Sequence, residues 1–258
     1  MKKDQPRTPI ITYPNLLEIM GDLCVNFNER ASTLVGYIDF QKAFDKVSVP
    51  KLLYKIDILG IGGKLKSCLE SFLTGRSQRV KVEGELSESK SVISGVPQGS
   101  VLGPILFAIY INDLPTVVPQ SIKSKIFADD FKCYTRIVSD KDLDTFSDTL
   151  ACVEQWAEKW QLPVSIEKSS LLLFSQSWIL LSGSNLKLGH QVLAPLTKTL
   201  DLGVTFEHDL KFNDQISQMC SKAKQRLYMI KKRILSSDPG LLIKVYKMYV
   251  LPIATMIG

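Results

Sequence analysis

Two adjacent acids stand inside an apolar stretch, KIFADDFKCY at residues 125–134. Asp129 and Asp130 alone would indicate a hairpin turn, because aspartate side chains bond nearby backbone. A third acid, Asp39, ends the apolar run 34–38, where a charge costs free energy unless it is paired or bound to a metal. If both strands lie centrally in one sheet, the three carboxylates converge at one edge.

Clustered carboxylates repel one another, and a divalent cation relieves that repulsion. Oxygen ligands without a nearby His or Cys favour Mg²⁺ over zinc. The two histidines, His190 and His208, have no metal-ligand spacing. The acids therefore predict a magnesium or manganese site, with Asp39 and Asp129 within roughly 6 Å of each other, the range that one ion can bridge.

The elements that must position these acids follow from periodicity and turn signals. One helical pattern begins at Pro14, and a second begins at the Ser139–Asp142 capping box and ends at Pro163. Further helical patterns cover residues 50–74 (split at 60–63), 104–113, 216–234 and 241–250. Strand patterns cover 34–38, a hairpin over 76–93, a hairpin over 122–134 with its turn at Asp129-Asp130, then 171–174, 185–193 and 200–206. This order predicts an α+β fold, with helices covering one face of an antiparallel sheet.

Composition adds a polyanion-binding expectation. The 258-residue chain carries +6, but residues 211–258 hold nine Lys or Arg and two Asp, so residues 1–210 sum to −1. Such a basic block suits nucleic acid, although a solvated helix face is the alternative for a bare charge run. The chain has no 18-residue apolar run and five widely spaced cysteines, which predicts an intracellular, reduced protein without a membrane span.

Several motifs together resemble the reverse transcriptase domain of non-LTR (LINE-type, jockey-like) retrotransposons. They are YIDFQKAFDKV (37–47), SGVPQGSVLGPILFAIYINDLP (94–115), FADD (127–130), WAEKWQLPVSIEKS (156–169) and LDLGV (200–204). The resemblance runs from about residue 12 to the end. It implies an RNA-directed DNA polymerase that uses two Mg²⁺ ions (or Mn²⁺), an RNA template, a DNA primer and deoxynucleoside triphosphates.

The resemblance also implies a right-hand polymerase palm with a helical thumb. Residues 1–30 would be an entry helix, 31–208 the palm with the inserted hairpin 76–93, and 209–258 the thumb. Most of the fingers would be missing and the thumb truncated. On this expectation the chain would bind an RNA–DNA duplex but extend a primer weakly.

Site roles carry over from the resemblance residue by residue. Asp39 and Asp129 would bridge the metal ions, with Asp130 as a secondary ligand, while Lys168 would give a proton to pyrophosphate or be a surface lysine. Nucleotide contacts are implied for Phe40, Phe44, Gly95, Pro97, Gln98 and Gly99. Phe44 would collide with a ribose 2′-OH, although a core Phe is the alternative. Nucleic-acid contacts are implied for Leu202 and Gly203 in the primer-grip-like turn 200–204, and for Lys222, Lys224, Arg226, Lys231, Lys232 and Arg233.

Two other functions stay open from the residues alone. A catalytically inactive, nucleic-acid-binding remnant of such an element would keep the fold and the basic tail. A hydrolase with a carboxylate pair is the poorer alternative, since nothing else in the sequence suggests a sugar or ester site.

Overall fold

The computed structural model describes residues 12–176, 186–193 and 195–255. Its helices are α1 Thr12–Asn28, α2 Ala43–Lys46, α3 Val49–Ile58, α4 Gly63–Leu73, α5 Leu102–Ile111, α6 Asp140–Trp160, α7 Asn213–Arg233, α8 Pro239–Tyr249 and α9 Leu251–Thr255. Its strands are β1 Ser32–Ile38, β2 Ser77–Gln78, β3 Lys81–Val82, β4 Glu85–Leu86, β5 Lys90–Ser91, β6 Lys123–Phe127, β7 Asp130–Ile137, β8 Ser170–Phe174, β9 Lys187–Leu188, β10 Gln191–Val192, β11 Pro195–Leu196, β12 Lys198–Asp201 and β13 Val204–Glu207.

The main sheet has the order β11-β8-β1-β7-β6. Strand β1 is central and pairs antiparallel with both β7 and β8. Its residues are almost all buried, which agrees with a continuous apolar run rather than an alternation of apolar and polar residues. The sheet therefore places the end of β1 beside the β6–β7 hairpin.

Helix α6 supplies much of the core. It begins at the predicted capping box, where the Ser139 N–H donates to the Asp142 carboxylate at 2.8 Å. Backbone N–H groups of Val138 and Ser139 lower the pKa of Asp142. The residues at three- and four-residue spacing are buried, among them Phe146 and Leu150. The predicted amphipathic helix over this segment is thus confirmed.

Some predicted boundaries differ from the structure. Helix α5 begins at Leu102 rather than at Pro104, because a proline is tolerated throughout the first turn. The predicted strand 200–206 is instead the hairpin β12–β13. The predicted strand 185–193 is the short hairpin β9–β10, and its first residue, Asn185, lies outside the described residues, as do residues 1–11.

The chain divides into two compact units, the first ending at Pro195 and the second starting at Leu196. This division assigns the β12–β13 hairpin to the second unit, whereas the predicted palm ends at 208. The bounds of palm and thumb stay a prediction. No helix in the described ranges is long and apolar enough to cross a membrane.

Candidate active site

The three acids lie at one edge of the main sheet. Ile38, the last residue of β1, pairs with Phe131 of β7. Asp39 follows Ile38 and Asp130 precedes Phe131, so the backbone register brings these two acids side by side, because neighbouring strands lie about 5 Å apart. Asp129 occupies the turn immediately before β7.

The hairpin turn was predicted one residue too late. Phe127 pairs with Asp130, so the two-residue turn is Ala128-Asp129 and Asp130 belongs to β7. Ala128 takes a left-handed backbone (φ 51°), which tight hairpin turns require. An alanine gives no sequence signal for that conformation, whereas aspartate is common in turns, so the turn was assigned to Asp129-Asp130.

The acids have different exposures and partners. Asp130 is exposed and Asp129 is half-buried. The Asp39 side chain is 27% exposed, and its Oδ2 lies 3.7 Å from Nζ of Lys168, whose side chain is 73% exposed. Lys168 is thus a surface lysine whose ammonium reaches the Asp39 carboxylate, and its role as a proton donor stays a prediction.

The donor chemistry at this edge suits a hard cation. All candidate ligands are carboxylate oxygens, and Mg²⁺ in polymerase-type sites takes one or two carboxylates and fills its remaining positions with substrate phosphates and water. Across the described ranges, no three His, Cys, Asp or Glu side chains are grouped to hold a metal ion by themselves. The acids at this edge therefore fit an incomplete ligand set that a nucleotide would complete, and the bridging pair Asp39 and Asp129 stays a prediction.

The backbone around Asp39 is fixed by the segment that follows α6. Ser165 N–H donates to the Asp39 carbonyl at 2.8 Å, and Gln41 N–H donates to the Pro163 carbonyl at 2.8 Å. Between them, Phe40 forms a β-bridge with Val164. These bonds hold the residue after β1 in an extended geometry.

Phe40 does not offer its side chain to a ligand. The residue is 2% exposed, and its ring lies 6.1 Å from that of Trp156. The predicted nucleotide contact of Phe40 is therefore restricted to its backbone.

The glycine- and proline-containing loop 94–100 packs directly on α2. Gly95 N–H donates to the Val47 carbonyl at 2.8 Å, and Val96 N–H donates to the Phe44 carbonyl at 2.9 Å. Gly95 has φ +82°, and a Cβ there would lie 2.8 Å from Cα of Asp45. Only glycine tolerates both the positive φ and the close approach of the Asp45 backbone.

The exposed part of this loop lies beside Phe44. The Phe44 ring is half-buried and stacks on Phe107, with ring centroids 4.4 Å apart. Gln98 and Gly99 are exposed and Pro97 is half-buried. The Gln98 amide donates to Oδ1 of Asp45 at 2.8 Å. The structure thus brings the predicted nucleotide-binding residues together around α2, apart from the buried Phe40 ring.

The second unit carries the predicted nucleic-acid contacts. Leu202 and Gly203 form the two-residue turn of the β12–β13 hairpin, with φ values of 48° and 86°. Positive φ at both positions matches the right-handed twist of the strands. The basic residues lie on α7, and all six are exposed: Lys222, Lys224, Arg226, Lys231, Lys232 and Arg233.

Comparison with known proteins decides the family. The model of the family "Reverse transcriptase (RNA-dependent DNA polymerase)" matches residues 2–227. The chain belongs to the reverse transcriptase family.

Its relatives are polymerases of mobile elements. The RNA-directed DNA polymerase from mobile element jockey of Drosophila melanogaster is 31% identical over 76% of this chain, and that of Drosophila funebris is 28% identical over 84%. The probable RNA-directed DNA polymerase from transposon X-element of Drosophila melanogaster is 33% identical over 64%. These alignments cover 23%, 24% and 18% of the relatives, respectively. This chain therefore corresponds to less than a quarter of each relative's length.

Solved structures share the fold of this reverse transcriptase chain. Apo telomerase from Candida tropicalis, truncated from the C-terminal domain, aligns with a TM-score of 0.56 at 14% identity, over 80% of this chain and 40% of that one. Telomerase from Candida albicans, in complex with a telomeric RNA fragment, aligns with a TM-score of 0.56 at 14% identity, over 93% and 44%. The predicted α+β polymerase palm is confirmed.

Two residues of this reverse transcriptase site were not predicted. Asp45 accepts from Gln98, and Arg76 donates to the carbonyls of Ser94 (3.0 Å) and Gly95 (2.6 Å). Arg76 directly follows Gly75 at the start of the hairpin 76–93. Its contact with the loop 94–100, 18 and 19 residues further along the chain, gives no local sequence signal.

Proposed function

We propose that this chain is the polymerase part of a retrotransposon reverse transcriptase, which adds deoxynucleotides to a DNA primer on an RNA template. The observation that carries the proposal is the convergence of Asp39 with the β6–β7 hairpin at one sheet edge, where Ile38 pairs with Phe131, Asp130 begins β7 and Asp129 lies in the turn. Family membership supports it.

Asp39 and Asp129 would hold two Mg²⁺ or Mn²⁺ ions, with Asp130 as a secondary ligand. When bound, the ions supply activation of the primer 3′-OH and neutralisation of charge at the leaving pyrophosphate. The carboxylates hold the reacting groups in position, since phosphoryl transfer depends mainly on positioning and charge. Lys168 gives a proton from Nζ to the pyrophosphate; its 3.7 Å approach to Asp39 supports that role.

The loop on α2 selects and orients the nucleotide. Phe44 lies under the sugar, where its ring excludes a 2′-OH. Gly95, Pro97 and Gly99 keep the loop thin enough for backbone to approach a base pair. The Gln98 amide N–H donates to Asp45, which leaves its carbonyl oxygen to accept from the nucleotide.

The second unit contacts the template–primer duplex. The Leu202-Gly203 turn meets the primer end, and the exposed cations of α7 contact phosphates, which provide affinity without sequence choice. In this proposal residues 31–208 act as palm and 209–258 as thumb. Deoxynucleoside triphosphates, the RNA template and the DNA primer are the ligands.

Primer extension tests the proposal. The 258-residue chain is incubated with a DNA primer on an RNA template, deoxynucleoside triphosphates and Mg²⁺. We expect extension that falls at least about a hundredfold in Asp39→Asn and Asp129→Asn, the scale on which lost positioning acts. Asp148→Asn, an exposed site on α6, is the matched control.

The second candidate function gives a different result. A catalytically inactive nucleic-acid-binding chain would bind the duplex in a salt-sensitive way and extend nothing, and the exposed cations of α7 favour binding in either case. Absence of extension by the unaltered chain would therefore reject the polymerase proposal, and equal extension by Asp129→Asn would reject the metal-ligand assignment.

A further inference from the structure

A buried lysine lies among aromatic rings behind the candidate active site. The Lys55 side chain is 8% exposed, although the residue belongs to α3, a helix with exposed neighbours on its other face. Its Nζ lies 3.6 Å from the ring centroid of Trp160, 5.1 Å from that of Trp156 and 5.2 Å from that of Tyr110. These distances lie within the range of cation–π attraction, which is strongest over tryptophan and in desolvated sites.

The Lys55 ammonium also makes polar contacts with the end of α5. It donates to the Tyr110 carbonyl and to Oδ1 of Asp113, the latter at 2.5 Å. The same Asp113 oxygen accepts from the Trp156 indole at 2.9 Å. The Lys55 side chain therefore connects three helices: α3, to which it belongs, α5 through the Tyr110 carbonyl, and α6 through the two indoles. It also binds Asp113, two residues after α5.

Burial makes this arrangement unusual for a lysine. Burial lowers the pKa of Lys55 to about 8, with a further lowering from Lys159, while the hydrogen bond and charge of Asp113 oppose both. Replacing a buried ion pair by an apolar side chain of similar volume is often neutral or stabilising, so stability alone does not explain a lysine at this position. The desolvation cost of the Lys55 ammonium suggests another role: its directional contacts hold the helices it touches in one arrangement, which an apolar side chain would not specify.

The geometry in question is that of the active-site segment 39–48. Trp160 is the last residue of α6, and its indole N–H is buried without an acceptor in the part of the chain that the structure describes. The indole is therefore held by its face against Lys55 rather than by a hydrogen bond. From Trp160 the chain turns at Gln161 in a left-handed conformation and runs into the residues that hold Asp39.

Both ends of segment 39–48 are connected to this cluster. At one end, Pro163 and Ser165 bond the backbone of Gln41 and Asp39. At the other end, the Tyr110 hydroxyl accepts from Ser48 N–H at 3.4 Å and donates to the Trp160 carbonyl. A displacement of Trp160 would thus move the backbone that presents the Asp39 carboxylate.

We propose that Lys55 is a positioning residue: its ammonium, held between Asp113 and the Trp160 indole, fixes the end of α6 and thereby the backbone of Asp39. The functional part of this inference rests on the proposed polymerase activity. The positional part does not, because it concerns backbone hydrogen bonds that can be measured in the chain alone.

Hydrogen exchange measures the positional part. In Lys55→Met, which keeps the aliphatic stem and removes the charge, the amides of Gln41 and Ser165 should exchange at least about tenfold faster, while amides of β8 keep their wild-type rates. Lys55→Arg, which keeps a cation over the rings, should restore protection at both amides. Lys66→Met removes the cation of an exposed ion pair with Asp57 and should change neither amide.

Steady-state extension measures the functional part. Lys55→Met should lower kcat by about ten- to a hundredfold, as expected for a misplaced catalytic group, with little change in the KM for nucleotide. Lys55→Arg should recover most of kcat. A merely stabilising role predicts wild-type kcat in folded Lys55→Met below its melting range, and that result would overturn the proposal.

The two failures are distinguishable. If the unaltered chain extends no primer, the proposed function fails, yet the exchange rates of Gln41 and Ser165 still decide whether Lys55 fixes them. Unchanged or uniformly increased exchange across the first unit in Lys55→Met overturns the positioning role. If the methionine variant does not fold, Asp113→Asn takes its place, because it leaves the ammonium without its anion. Unchanged or uniformly increased exchange in Asp113→Asn would likewise overturn the positioning role.

Discussion

Replacing Gly95 with alanine should loosen the loop 94–100 from α2 at a cost that the structure allows to be worked out. The new Cβ would lie 2.8 Å from Cα and 2.9 Å from the carbonyl oxygen of Asp45, and 2.9 Å from the carbonyl oxygen of Phe44. All three contacts are with backbone, so no side-chain rotation can relieve them. The loop must move away from α2.

Two contributions add up in this variant. A non-glycine residue at φ +82° costs about 1–2 kcal/mol. Moving the loop also stretches three hydrogen bonds to α2 and the residue after it, from Gly95 N–H, Val96 N–H and the Ser94 hydroxyl. At about 1 kcal/mol each, these bonds contribute about 3 kcal/mol. The total loss in the free energy of unfolding is then about 4–5 kcal/mol.

Gly60→Ala is the matched control for the backbone contribution. Gly60 has φ +77°, and an added Cβ would have no neighbour within 4 Å. It should cost about 1–2 kcal/mol. Urea unfolding followed by tryptophan fluorescence reports on the first unit, because all three tryptophans precede Pro195. The two variants should differ by about 3 kcal/mol, and equal costs would refute the close approach of loop and helix.

Three further outcomes are expected. Phe44→Val should raise the use of ribonucleotides relative to deoxynucleotides in primer extension, because it removes the ring proposed to exclude the 2′-OH; an unchanged ratio in a stable variant would make Phe44 ordinary core. The contribution of Lys55 to stability should rise with pH between about 8 and 10.5, because folded Lys55 releases its proton first and the unfolded state then binds more protons, a gain of about 3 kcal/mol. Burial raises the pKa values of Cys133, Tyr110 and Tyr134, which gives the opposite slope above about pH 9, so the measurement is the difference in stability between the unaltered chain and Lys55→Met. Lys55→Met should lack this rise, and an identical pH slope in both proteins would contradict the burial of the charge. Changing Lys231, Lys232 and Arg233 together to alanine should weaken duplex binding and lower the log–log salt slope by about 2–3, since each phosphate contact contributes about 0.9; an unchanged slope would remove them from the interface.

The sequence predicted elements where periodicity and capping agreed. Strand β1 and helix α6 were identified because a buried strand has a continuous apolar run and an amphipathic helix has three- and four-residue spacing. The exact turn before β7 was missed because Ala128 adopts a left-handed conformation that its residue type does not indicate. Local rules fail at such positions, where tertiary contacts determine the backbone.

The candidate site was predictable in its residue types but not in its supports. Acidic residues at strand ends can be identified from sequence, because a charged residue interrupts an apolar run. The role of Lys55 is not visible, because its partners at positions 110, 113, 156 and 160 are remote in sequence. One signal was present: Lys55 shares a helix face with the buried Leu52 and Ile56, so its ammonium had to find partners inside.

Backbone hydrogen bonds around the candidate site explain how an exposed site can be rigid. In the proposed function the acids receive a nucleotide and must stay accessible. Asp130 is exposed and Asp129 is half-buried, so burial cannot hold their side chains. The fold instead holds backbone: β1 by pairing on both sides, and Asp39 by its bond from Ser165. Core groups such as Lys55 can then affect chemistry without touching the substrate. Substitutions in this layer should accordingly change kcat more than nucleotide affinity, whereas substitutions in the loop on α2 should change both.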